Sequence, residues 1–253
     1  MLKQRIEDGV MIVTLENGKT NSLTRETLEK LQALVREVNG SDSLKGIVLT
    51  GEGRFFSSGF DLPMFLSFKD PGDAADFIGY ADEVLLGLFT CDKPVVCAMN
   101  GHSAAGGLIL AMASDYRLVK NHPKIKLGMS EIKIGVPLSV AQSAVMRFGL
   151  DSDKRFRDVM YFGEMMDVTT AREMEIVDEV VEEEALIERA KAVVSLWIDT
   201  PGRPFTLLKR GLKAGVVKAV RSELEEGDWK AAMDCFFKKE VRDVLAFVQS
   251  TME

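Results

Sequence analysis

The chain has 253 residues, a formal net charge of −7, and 46% hydrophobic with 28% charged residues. This suits one globular domain, or one with an appendage, and the acidic balance argues against a nucleic-acid partner. Cys91, Cys97 and Cys235 show neither zinc-ligand spacing nor a disulfide framework, which points to reduced thiols.

The first residues, MLKQRIEDGV, lack the apolar stretch of a signal peptide, and no run approaches the ~18 apolar residues of a membrane-crossing helix. The closing STME is not a peroxisomal address, so a cytoplasmic protein without membrane association is expected. LKQRIEDGVMIVTLEN predicts two short strands turning at Asp8-Gly9. Leu28, Leu31, Leu34, Val35 and Val38 recur at helical spacing and stop at Asn39-Gly40. KGIVLTG and VVCAMN are short and nearly all apolar, the pattern of strands buried on both faces. Between them lie a glycine- and serine-rich loop, GEGRFFSSGFDLPMF, and a helix over 73–89. A helix over 108–113 follows, then YRLVK and IKLGM as strands. Beyond Gly135 the pattern is helical apart from IVDEVV, and Pro201-Gly202-Arg203-Pro204 marks a boundary before amphipathic helices. Strands alternating with helices, then helices alone, predict an α/β core with a helical C-terminal part.

Two loops share a design. Phe56-Ser57-Ser58-Gly59-Phe60-Asp61-Leu62 and Ala104-Ala105-Gly106-Gly107-Leu108 each follow a buried strand and carry glycine where backbone can approach closely. One N–H from each could bind a single carbonyl oxygen. Taken alone, each glycine motif is better explained by a tight turn and close helix–strand packing.

Three ordered stretches, FFSSGFDL, CDKPVVCAMNGHSAAGGLILAMASDYRLV and LGMSEIKIGVP, give the chain a resemblance to the enoyl-CoA hydratase/isomerase (crotonase) superfamily. It runs from LENGKTNSLT to about Val181 and is nearest to the Δ3,Δ2-enoyl-CoA isomerases. The resemblance implies an α/β (α+β) crotonase-like fold: repeated ββα units in two nearly perpendicular sheets, with a helical C-terminal region. It implies a core over 1–200 and an oligomerisation region over 201–253, giving a homotrimer or a dimer of trimers. The implied substrate is an acyl-CoA thioester, with CoA arriving as part of it and no metal or redox cofactor. Its carbonyl oxygen would meet the N–H groups of Phe60 and Gly106, with Gly107 an alternative to the latter. Ser58, Gly59, Phe60, Asp61 and Leu62, with Gly106, would form the substrate-binding loops.

Hydratases of this superfamily carry two glutamates. By resemblance the second is Glu131, while the first position, three residues after Gly106, is Ile109. An isoleucine neither holds nor activates water. One carboxylate beside an apolar wall suits proton shuttling from C2 to C4 of a 3-enoyl-CoA, with desolvation raising the Glu131 pKa. A strand-end glutamate capping the next turn is the plainer alternative. Other branches place an aspartate eight residues further on, where this chain has Ser139, and no carboxylate occurs between Glu131 and Asp151. Hydration by Glu131 alone and a non-catalytic acyl-CoA-binding protein remain the competing functions.

His102 is expected to hydrogen-bond backbone, and His122 to sit in an exposed turn. No G-x-S-x-G or G-x-G-x-x-G is present. Lys209, Arg210, Lys213, Lys218 and Arg221 either reach CoA phosphates or form a solvated face balanced by SELEEGD. Phe60, Met64, Phe65, Phe68 and Phe77 could line an acyl tunnel, although core packing accounts for most such residues.

Overall fold

The computed structural model describes residues 1–252. Its first half repeats one unit, two strands and then a helix. The units run β1 (Leu2–Glu7), β2 (Val10–Leu15), α1 (Arg25–Gly40); β3 (Gly46–Gly51), β4 (Phe55–Ser57), α2 (Leu62–Ser67) with α3 (Pro71–Phe89); β5 (Val95–Met99), β6 (His102–Ala104), α4 (Gly106–Ala113); and β7 (Tyr116–Lys120), β8 (Leu127–Gly128), α5 (Glu131–Ile134). There follow α6 (Val140–Leu150), α7 (Asp153–Phe162), β9 (Met165–Met166), α8 (Val168–Glu173), β10 (Glu179–Val181), a 3-10 turn at Glu183–Ala185 and α9 (Leu186–Ile198). The C-terminal segment is α10 (Phe205–Glu226), a 3-10 stretch Trp229–Phe237 and α11 (Lys239–Met252).

The strands sort into two sheets. In β3–β4, β5–β6 and β7–β8 the first strand joins a six-stranded sheet, ordered β1-β2-β3-β5-β7-β10, and the second a four-stranded sheet, ordered β4-β6-β8-β9. The β1–β2 hairpin turns at Asp8 and Gly9, both with positive φ, as the Asp-Gly pair predicts. From β2 to β10 the six-stranded sheet is parallel, and covered on both faces. Met11, Val13 and Leu15 of β2 enter the large core, while Val10 and Ile12 pack with Ala190, Val193 and Val194 of α9. Alternate residues of one strand thus serve two cores, which is why these strands read as unbroken apolar runs.

The stretch expected to be a loop, GEGRFFSSGFDLPMF, contains strand β4 and helix α2. Asp61 caps α2 by accepting from Met64 N at 3.3 Å, and Pro63 sits in its first turn. IKLGM yields only the two-residue β8. The last amphipathic helix is broken at Gly227 and again at Lys238, so the C-terminal segment folds back in three pieces. Val220, Met233, Phe236, Val241 and Leu245 of those pieces share the large core with residues of α1, α3 and α6.

β3 and β5 pass closely at Gly46. A Cβ there would lie 2.5 Å from Pro94 O and 2.8 Å from Val194 Cγ1. Gly46→Ala is therefore expected to lower unfolding stability by roughly 1–3 kcal/mol in urea titration, and an unchanged midpoint would contradict this packing.

Candidate active site

β4, β6 and β8 are parallel neighbours, so the segments that follow them leave the sheet at one edge. Those segments are Ser58–Phe60, Ala105–Gly106 and Met129–Glu131. The repeated unit therefore brings all three sequence motifs together.

The first two segments touch. A Cβ on Gly59, whose φ is +93°, would lie 2.7 Å from Gly106 N and 2.9 Å from Ala105 Cβ. A Cβ on Gly106 would lie 3.3 Å from Phe60 N. Gly107 instead faces the Ser57 backbone, so Gly106 is the glycine beside Phe60. Leu23 and Phe60 form a parallel bridge in which Leu23 N–H donates to Gly59 O (2.8 Å) and Asp61 N–H to Leu23 O (3.2 Å). That pattern turns the Phe60 N–H away from Leu23. Gly106 opens α4, where N–H groups have no partner within the helix. Ala105, directly before it, holds φ +52° and ψ −129°, a conformation strained for a residue with a side chain. Two backbone donors can thus meet one acceptor.

The cavity here, about 60 Å³, is lined by Ser58, Phe60, Leu62, Gly106 and Glu131, with apolar walls that include Ile109, Phe65, Val136, Met233 and Phe236. A groove of about 740 Å³ elsewhere, between Trp197, Phe205 and α10, is larger but is not lined by Ser58, Phe60, Gly106 or Glu131. Among the described residues no group of three or more His, Cys, Asp or Glu is placed to hold a metal ion.

Residues 5–249 match the family described as enoyl-CoA hydratase/isomerase. The chain belongs to that family. It is 29% identical over 208 residues to mouse mitochondrial enoyl-CoA delta isomerase 1, covering 81% of this chain and 71% of the relative. It is 27% identical over 195 residues to a probable enoyl-CoA hydratase of Bacillus subtilis, covering 77% and 74%. In fold it resembles human mitochondrial delta3-delta2-enoyl-CoA isomerase, with a TM-score of 0.90 over 99% of this chain and 97% of that one at 22% identity. The structure has the crotonase fold of this family, with its ββα repeat and helical C-terminal region.

Glu131 begins α5 and is only 8% exposed. Its Oε2 has no hydrogen-bond partner among the described residues. Burial pushes the carboxyl from 4.5 up to about 7, partly offset by the backbone N–H groups of Glu131 and Ser130. One oxygen of the carboxyl thus has no partner while the group lies in a largely apolar cavity, which leaves that oxygen open to a ligand.

Some expected residues are elsewhere. Asp61 is committed: its carboxylate accepts from Ser22 Oγ (3.0 Å) and Met64 N, and its N–H goes to Leu23. Met64, Phe68 and Phe77 pack beside the cavity without lining it. His102 Nδ1 accepts from Lys126 N (3.1 Å), and exposed His122 accepts from Lys124 N. The basic residues of α10 are not balanced by SELEEGD, as one expectation had it. Lys209 and Lys213 are buried on Asp115, Arg210 pairs with Asp92 and Arg221 with Glu83, none of them within SELEEGD.

Three contributors escaped the sequence. Met233 and Phe236 reach the cavity from a segment about 100 residues beyond Glu131. Asp82 supplies a carboxylate next to Ser139, accepting from its Oγ and from Ala141 N (3.2 Å), although none lies nearby in sequence. Its signal was available: Asp82 follows Ile78 by four residues and precedes Leu85 by three, on the buried face of α3. Burial raises its pKa from 3.8 to about 6.

Because the folded chain holds the Glu131 proton more tightly than the unfolded one, stability is greatest below pH 4.5 for this group and falls as pH rises towards 7. The full loss is about 3 kcal/mol, from a shift of 7 less 4.5. Glu131→Gln is expected to gain stability relative to the native chain between pH 5 and pH 8 in parallel denaturant titrations. A pH-independent difference would contradict the assigned burial.

Proposed function

We propose that this chain is a Δ3,Δ2-enoyl-CoA isomerase, converting 3-enoyl-CoA to 2-trans-enoyl-CoA. The observation that carries the reading is one buried, unpartnered carboxylate, Glu131, sharing a cavity with apolar Ile109 and with two backbone donors, Phe60 and Gly106.

The thioester oxygen accepts from the two N–H groups. Glu131 takes a proton from C2, and the electron pair left behind delocalises through the C3–C4 double bond and onto the thioester oxygen as a dienolate. The two donors bind that oxyanion more strongly than the neutral carbonyl, an effect worth about 3–4 kcal/mol for a single such donor. Protonated Glu131 then returns the proton at C4, the double bond settles between C2 and C3, and the carboxylate is restored. A carboxyl poised near 7 can both take and give the proton at neutral pH. No metal or redox cofactor enters this reaction, and CoA is part of the substrate. The names of the mouse and human relatives favour this reading.

Hydration is the second reading, favoured by the name of the Bacillus subtilis relative. It asks one carboxylate both to activate water and to deliver a proton, with Ile109 offering no second arm. Purified protein given 3-enoyl-CoA is expected to form conjugated product much faster than it hydrates 2-enoyl-CoA; dominant hydration would overturn the isomerase reading.

Glu131→Gln is expected to lower isomerisation by about 10²–10⁴-fold while CoA esters still bind. In the native chain kcat/KM is expected to rise with pH and level off above about 7, as the base ionises. A protein that binds acyl-CoA without any turnover would instead be a binding module.

Assembly belongs to the same reading. Leu207, Leu208 and Leu212 of α10 are 69–73% exposed, and two of them line the open groove with Trp197 and Phe205. A closed homo-oligomer, a trimer or dimer of trimers, covers this face. Leu208→Asp with Leu212→Asp is expected to shift the mass in analytical ultracentrifugation towards monomer, and a native chain already monomeric at micromolar concentration would refute it.

A further inference from the structure

Gln142 is the third residue of α6 and is only 6% exposed, yet its side chain lines the cavity that holds Glu131 and Ile109. It also lines a smaller void of about 20 Å³, whose other side chains, among them Leu28, Val84, Leu85 and Leu110, are apolar. Phe60, Gly106 and Ile109 border both spaces as well. Gln142 therefore places an amide at the junction of the cavity that holds Glu131, Ser58 and Ser139 and a second volume whose other side chains are apolar.

The orientation of that amide is fixed. Ser139 N–H donates to Gln142 Oε1 (3.3 Å), and Gln142 N–H donates to Ser139 Oγ (3.2 Å), a reciprocal cap on α6. Ser139 Oγ in turn donates to buried Asp82, which also accepts from Ala141 N. Only a carbonyl oxygen can accept from the Ser139 N–H, so the amide nitrogen must be the atom left over. Among the described residues nothing accepts from that Nε2. That Nε2 is not one of the fully buried unpartnered atoms, so it retains accessible surface and its donor is free for water or for a ligand that enters the cavity.

We propose that Gln142 is a specificity-determining residue whose Nε2 donates to an oxygen on the acyl chain, so that the site prefers thioesters of hydroxy- or oxo-substituted acyl groups over plain hydrocarbon chains. This rests on the acyl-CoA reading of the site. The thioester oxygen is already claimed by Phe60 and Gly106 in that reading, so the acceptor is a second oxygen, further along the chain. A locked donor also discriminates in one direction: it pairs with a hydroxyl or carbonyl and is left unpaired by a methylene, which is where a polar pocket gains most of its selectivity.

The test uses saturated thioesters, which cannot react, and reads binding by titration calorimetry. Octanoyl-CoA is compared with octanoyl-CoA carrying one hydroxyl at each position from C4 to C8, on the native chain and on Gln142→Met. At one or more positions the hydroxyl is expected to tighten native binding by about tenfold or more, and Gln142→Met is expected to reduce that gain to about twofold or less. That the variant is folded is read from its circular dichroism and urea midpoint, and the hydroxyl gain is taken within each chain against that chain's own affinity for octanoyl-CoA. No hydroxyl gain at any position in the native chain, as when the amide merely holds a water molecule, overturns the proposal; so does a gain that survives in Gln142→Met. Failure of every thioester to bind overturns the acyl-CoA reading itself, whereas binding of octanoyl-CoA without hydroxyl selectivity leaves that reading standing and removes only this one.

Discussion

Gly59 and Gly106 are in contact, and the rest of the site depends on that contact. A single methyl group on Gly59 would come within 2.7 Å of the Gly106 nitrogen and drive the two loops apart. The approach is possible because β4 and β6 are parallel neighbours and the chain leaves both at the same edge of the smaller sheet. It is completed by Ala105, whose strained backbone turns the chain into α4 so that the first N–H of the helix lies beside Phe60. Repetition of the ββα unit then places a third segment, ending in Glu131, next to the first two. The two donors are thus backbone groups fixed by close packing of the loops, and the third segment carries the Glu131 side chain beside them.

Much of this frame was legible in the sequence, and the parts that were not share a cause. β2, β3 and β5 are fully covered and read as apolar runs; α1 buries Leu28, Leu31, Leu34, Val35 and Val38 at the spacing that predicts it. β4 and β6 have three residues each and β8 has two, too short to show any period. The loop motifs could be recognised only because their glycines and their order survive where strand pattern does not. Met233 and Phe236 were invisible for another reason: they lie far along the chain, and only the fold brings them to the cavity. The balance of α10 by SELEEGD failed because charge was counted along one helix, while Lys209, Lys213, Arg210 and Arg221 pair with Asp115, Asp92 and Glu83 outside it.

Those ion pairs bear on the site through the C-terminal segment. Lys209 and Lys213, each about 5% exposed, share the single carboxylate of Asp115, which also accepts from Val95 N (2.9 Å) at the start of β5. Burial pushes Lys213 from 10.5 down to about 8, against the pull of Asp115. Its Nζ also donates to Phe89 O (2.9 Å) and lies 4.0 Å from the Phe89 ring centroid. Buried charges of this kind add little net stability, but breaking one partner is severe, so they fix geometry. Here they fix α10 against the end of α3 and the start of β5. From that anchor the chain continues into the 3-10 stretch that lays Met233 and Phe236 over the cavity.

Those apolar residues set the chemistry of Glu131. Phe236, Phe65, Ile109 and Val136 line the cavity around the carboxyl, and among the described residues its Oε2 has no hydrogen-bond partner. The burial that makes the ionised carboxylate unfavourable in the folded chain also makes it a stronger base than an exposed glutamate. The two effects are one free energy, seen once as lost stability and once as gained basicity. A hydratase-like glutamate at position 109 would add a second negative charge and draw in water. Isoleucine there leaves Glu131, among the described residues, as the one carboxyl lining the cavity, beside the backbone of Phe60 and Gly106.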